Sequence, residues 1–160
     1  MKNLKVLLVS AFALVALTTS AQQAIGLRFG GGNLNGAEVS YQMPMGDVNR
    51  LQLDLGINGD DDYFSLGVTG TYQWTWGIAD VEGLAWYAGP GATVGFWAWD
   101  NGVADDSGAN IGIGGIVGIE YTFAGAPIQL SLDTRPMFNL LGSDDYNGNW
   151  GAALAVRYVF

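Results

Sequence analysis

Four arginines and four carboxylates stand in otherwise apolar or small-residue segments: Arg28, Arg50, Arg135 and Arg157 against Glu38, Asp54, Glu120 and Asp133. A guanidinium presents a planar fork of donors that matches a carboxylate, so this set can pair to zero net charge. Unpaired, each charge withdrawn from water would cost several kcal/mol, about enough to forbid it. The positions suggest Arg28 with Glu38, Arg135 with Glu120, Arg157 with Asp133, and Arg50 with Asp54 on one segment.

Other chemistries find less support. Asp60-Asp61-Asp62, Asp105-Asp106 and Asp144-Asp145 gather hard oxygen donors that suit calcium or magnesium. None has EF-hand spacing, and such runs are commonly solvated loop tips. Adjacent acids can form an acid dyad, but the chain has no histidine to activate Ser65, Ser131 or Ser143. No catalytic residue is assigned. Gly30-Gly31-Gly32-Asn33 precedes no helix and lacks the lysine of a phosphate-binding loop. With no cysteine in the chain, disulfides, thiolate metal sites and lipoprotein processing are all excluded. No cofactor is expected.

The elements that must carry the charged residues read as strands. Period-two runs between turn signals predict eight, at roughly 24–30, 36–43, 50–58, 63–74, 84–97, 109–123, 128–140 and 150–160. One face is large and apolar, as in Leu51, Leu53, Leu55, Ile57 or Ile111, Ile113, Val117, Ile119, Tyr121, Phe123, with Val39, Tyr41 and Met43 on the second strand. The other carries the eight charges, Ser, Thr and Gln, and many glycines, which suit the crowded interior of a narrow barrel. Aromatic residues gather near both strand ends: Tyr72, Trp74, Trp76, Trp86, Tyr121, Phe123, Tyr158 and Phe160 at one, Tyr63, Trp97, Trp99, Phe138 and Trp150 at the other. Two such belts are what the two membrane interfaces favour. The expected fold is all-β, an eight-stranded antiparallel up-and-down transmembrane β-barrel.

Both chain ends carry signals. Lys2 and Lys5 precede the apolar run Val6 to Leu17, and Thr18-Thr19-Ser20-Ala21 offers a small-residue cleavage site. This predicts a secretory signal peptide over 1–21 and a single mature domain over 22–160. The full chain has a net charge of −9, and the mature part keeps four arginines against fifteen acids, or −11. That balance argues against nucleic acid as a partner. With both chain ends on the inner side, the short turns Pro44–Asn49, Gly77–Gly83 and Ala124–Pro127 fall there too. The acid-rich connections, including Gly59–Asp62, Asp100–Gly108 and Leu141–Asn149, fall outside.

Trp150 to Phe160 alternates strictly and stops on an aromatic, with Leu154, Val156, Tyr158 and Phe160 on one face. This resembles the terminal assembly signal of bacterial outer-membrane β-barrels. Together with the eight-strand pattern and the segment Trp86-Tyr87-Ala88-Gly89-Pro90-Gly91, it makes the mature chain resemble the small eight-stranded OmpA/OmpX-like, porin-like barrels of Gram-negative bacteria. The resemblance implies location in the outer membrane and contact with its lipid and lipopolysaccharide. It also implies handling by the barrel-assembly machinery and periplasmic chaperones. It does not fix a function. The leading expectation is a structural or surface-interaction role with a lumen closed by the ion-pair network. The alternatives are a narrow pore for ions or small solutes, and an adhesin-like module binding through its acidic outer loops.

Overall fold

A computed structural model describes residues 22–30, 36–60, 63–100, 105–141 and 151–160. The expected signal peptide, Asp61, Asp62, Asp144, Asp145 and Trp150 lie outside them. The strands are β1 (Ala24–Gly30), β2 (Gly36–Pro44), β3 (Asn49–Asp60), β4 (Tyr63–Gly77), β5 (Leu84–Asp100), β6 (Asp105–Thr122), β7 (Ile128–Thr134), β8 (Met137–Leu141) and β9 (Ala152–Val159). From β1 to β6 each strand pairs antiparallel with the next in chain order, β7 and β8 both pair with β6, β9 pairs with β7, and β1 with β9 completes a closed ring.

Nine segments make eight barrel strands. β7 and β8 hold one register against β6, from Val117↔Thr134 to Gly114↔Met137. The interruption lies at Arg135-Pro136, because proline has no N–H to give the ladder. Its carbonyl still accepts from the Gly115 N–H at 3.2 Å. Closure pairs the strands around a ring, the arrangement that lets strands cross a lipid bilayer with their backbone groups bonded within the wall.

Alternation turns this barrel inside out relative to a soluble domain. Among the described residues, nineteen polar or charged side chains are buried against seven hydrophobic ones, whereas 29 large hydrophobic residues are exposed. The polar set therefore faces the lumen and the apolar set faces outward. Leu132, Leu154, Ile113 and Phe96 are each at least half exposed, which is tenable in lipid and costly in water. Tyr41 keeps the parity of Val39 and Met43, opposite Ile25 in an unbroken ladder, yet is buried, and its hydroxyl donates to Gln23 Oε1 at 2.6 Å.

The connections separate into two ends. Turns after β2, β4 and β6 lie at the end that holds both termini, where Gln23 and Phe160 exchange two backbone hydrogen bonds of 2.9 Å. Gly83 closes one of these turns at φ +84°, and a Cβ there would lie 2.2 Å from the Thr122 carbonyl oxygen. At the opposite end the pairing of β5 with β6 runs on to Asp100↔Asp105. The nine-residue connection expected there is accordingly only residues 101–104. Ladder bonds join backbone groups, so pairing continues past the point where apolar alternation fades.

The aromatic belt at the termini end contains a Tyr72–Trp74 edge contact, a Trp76–Trp86 stack at 4.2 Å and a Tyr121–Phe123 edge contact at 4.8 Å. Tyr158 and Phe160 complete it at 6.2 Å. The opposite end is corrected in one respect. Trp97 has the inward phase and lies against Gly108, where a Cβ would sit 2.6 Å from its ring. The outward aromatics among the described residues there include Phe29, Phe64, Phe96 and Phe138.

Candidate functional site

The lumen is where polar chemistry is concentrated. The inward phase of eight strands brings Arg28, Glu38, Arg50, Asp54, Glu120, Asp133, Arg135 and Arg157 into one interior, each at most 9% exposed. Arg28 on β1 donates from Nη1 to Glu38 Oε2 at 2.9 Å and from Nη2 to Asp133 Oδ1 at 2.5 Å. Arg135, between β7 and β8, donates from Nη2 to Glu38 Oε1 and from Nη1 to Asp54 Oδ2, both at 2.6 Å. Arg50 on β3 makes a fork with Glu120 on β6, at 2.7 and 2.6 Å.

These partners differ from the pairing suggested by sequence position. Arg28 does meet Glu38, but Arg135 meets Glu38 and Asp54 in place of Glu120, and Glu120 meets Arg50. Register explains the change. Glu120 lies opposite Ser131 and Arg157 opposite Gln129, so two of the supposed neighbours are offset along the wall. Long guanidinium arms instead reach across the lumen. Arg135 and Asp54 stand on opposite walls, and Arg50 reaches Glu120 three strands away around the ring.

Neutral groups join the pairs into one network. Asp54 Oδ2 also accepts from Gln52 Nε2 at 2.8 Å, while Gln52 Oε1 accepts from Gln42 at 2.9 Å and Gln73 at 3.1 Å. Gln73 Oε1 accepts from Arg50 Nε at 2.6 Å, linking the Arg50–Glu120 fork to the central cluster. The buried Tyr87 donates to Asp133 Oδ2 at 3.0 Å, and Arg50 lies 4.7 Å from the centre of its ring. In a low-dielectric interior a connected network of this kind is strong when satisfied and costly when broken.

Several of these residues escaped the sequence reading. Tyr87, Gln73, Met137 and Ile116 are buried lumen residues that it did not single out. Tyr87 was legible by parity, since it shares its phase with Gly89, Gly91 and Gly95. Its space comes from Gly118 directly opposite, where a Cβ would lie 2.5 Å from the tyrosine Cζ. Gly91 and Gly114 make room for Met137 in the same way, with a Cβ 3.0 Å from its Cε and 2.9 Å from its Sδ respectively. Beyond the ion pairs the lumen holds Thr69 bonded to Thr93 at 2.9 Å, and Asn110 lies against Gly95.

At the termini end a cavity of about 330 Å³ opens below the network, with Gln42, Asn49, Arg50, Glu120 and Gln129 among its lining residues. Ser131 accepts from Arg157 Nη1 at 2.8 Å, and Ser65 bonds the Asn58 carbonyl at 3.5 Å. Asp60, Asp105 and Asp106 belong to strands by their backbone, and their side chains, like Asp61, Asp62, Asp144 and Asp145, lie outside the described structure. Among the described residues no cluster of three or more His, Cys, Asp or Glu is placed to hold a metal. Leu154, Val156, Tyr158 and Phe160 all face outward, between 43% and 55% exposed.

No protein-family model matches this chain. No curated protein matches it either. Solved structures do match in fold. The N-terminal β-barrel domain of Pseudomonas aeruginosa OprF aligns with a TM-score of 0.65 at 19% identity, covering 87% of this chain and 97% of that one. Ail, the attachment invasion locus protein of Yersinia pestis, aligns with a TM-score of 0.60 at 13% identity, again over 87% of this chain and 97% of that one. The closed ring, the exposed apolar wall and these alignments agree: the chain has the fold of the small eight-stranded transmembrane β-barrels of bacterial outer membranes.

Proposed function

We propose that this protein is an integral outer-membrane barrel with a structural or surface-interaction role, its lumen closed by the arginine–carboxylate network and without catalytic activity. The observation that carries this reading is Arg135, whose guanidinium ties Glu38 and Asp54 across the lumen with two bonds of 2.6 Å. A wall-to-wall tie of fully buried charges fills the space through which a solute would pass. Its partners connect through Gln52 and Gln73 to the Arg50–Glu120 fork nearer the termini end. Solute passage would require several ion pairs to separate together, and each is costly to break.

On this reading residues 1–21 direct export and are removed, and the termini and their three short turns face the periplasm. The barrel wall contacts outer-membrane lipid and lipopolysaccharide. Leu154, Val156, Tyr158 and Phe160 supply the signal read by the assembly machinery after passage with periplasmic chaperones. Fractionation of a Gram-negative host expressing the full chain tests the location. The mature chain should appear in the outer-membrane fraction as a species whose gel mobility changes on boiling, the behaviour of a folded barrel. Recovery of the folded chain in the inner membrane or cytoplasm would refute the reading.

A further inference from the structure

Arg157 differs from the other three lumen arginines. Each of those contacts at least one carboxylate, whereas Arg157, only 1% exposed, has none within ion-pair distance among the described residues. Its bonds go to neutral acceptors: Nε to Ser40 Oγ at 3.0 Å, and Nη1 to Ser131 Oγ at 2.8 Å and Gln129 Oε1 at 3.4 Å. Its Nη2 is fully buried and makes no hydrogen bond. The four lumen carboxylates already receive Arg28, Arg50 and Arg135, with Glu38 shared by two of them. A buried cation with a free donor therefore lacks a contacting counter-charge.

The surroundings favour an anion. A serine that accepts from a guanidinium keeps its own hydroxyl hydrogen to donate, so Ser40, which accepts from Nε, adds a second donor at this guanidinium. A cavity approaches the ladder position of Arg157 from the termini end. Gln129 lies directly opposite Arg157 in the ladder and also lines the cavity of about 330 Å³, as does Val159, the next inward residue of β9. We propose that Arg157 and Ser40 form a binding site for a small monovalent anion of the chloride class, approached from that cavity.

The test is the chloride dependence of unfolding for the refolded barrel, with gluconate replacing chloride at constant ionic strength. Above the dissociation constant the folded-to-unfolded ratio should rise about tenfold for each tenfold increase in chloride. Gln129→Glu places a carboxylate where the amide oxygen now lies 3.4 Å from Arg157 Nη1, and should abolish that dependence. A wild-type midpoint identical in chloride and gluconate would overturn the proposal, as would a Gln129→Glu variant that keeps the full dependence. Bromide-soaked wild-type crystals give a readout that needs no variant. An anomalous peak against Arg157 supports the site, and its absence overturns it.

Discussion

Removing Arg135 tests the lumen-crossing network at its most connected point. In Arg135→Met, Glu38 keeps its bond to Arg28, but Asp54 loses its contacting cation and retains only Gln52 Nε2. Asp54 Oδ1 already has no partner, and the residue is 0% exposed, so water cannot readily take over. Breaking a buried pair by deleting one partner costs about 3–5 kcal/mol, and the isolation of Asp54 places this variant in the upper half of that range. Adding Asp54→Asn removes the stranded charge and should return about 2 kcal/mol, a coupling typical of directly contacting residues. Glu120→Gln should give no such rescue, because Glu120 belongs to Arg50. Urea unfolding in lipid vesicles, followed by tryptophan fluorescence, measures the wild type, the single variants and the double variants. The reasoning fails if Arg135→Met costs less than about 1 kcal/mol, or if Asp54→Asn and Arg135→Met add without coupling.

The outward face and the chain end give two further tests. Leu132, half exposed and set between Ile119 and Leu154 in the wall, should tolerate arginine poorly. A loss of about 2–4 kcal/mol is expected near mid-bilayer, and the same unfolding assay would expose a wrong face assignment by showing no loss. Phe160→Asp puts a charge in the aromatic belt beside Tyr158 and should reduce the boiling-sensitive folded species in cells. Wild-type assembly of that variant would remove the terminal aromatic from the assembly signal.

Strand number, face assignment and the lumen location of the arginines were legible because a strand's two faces obey a strict period of two, and parity needs no knowledge of partners. Of the pairings only Arg28 with Glu38, directly opposite in adjacent strands, was legible. Pairing depends on register, and an offset of a few residues moved Glu120 from Arg135 to Arg50 and Asp133 from Arg157 to Arg28. Nor does sequence proximity reveal a contact such as Arg135 with Asp54, 81 residues apart and on opposite walls. Trp97 was misread because belt membership was judged by nearness to a strand end. Its parity already gave the inward face, and Gly108 opposite makes the room. The split of the seventh strand at Pro136 and the extension of β5 and β6 to Asp100 and Asp105 are backbone events, which side-chain alternation records weakly.

Planar-bilayer conductance of the refolded wild-type barrel bears most directly on the closed lumen. With Arg135 tying opposite walls and the Arg50–Glu120 fork beyond it, the bilayer should show no steady conductance above baseline at moderate voltage. Arg135→Met, which unties the central cluster, should admit ions more readily than the wild type. Large, stable, ion-selective channels in the wild type would contradict the account and establish the barrel as a pore.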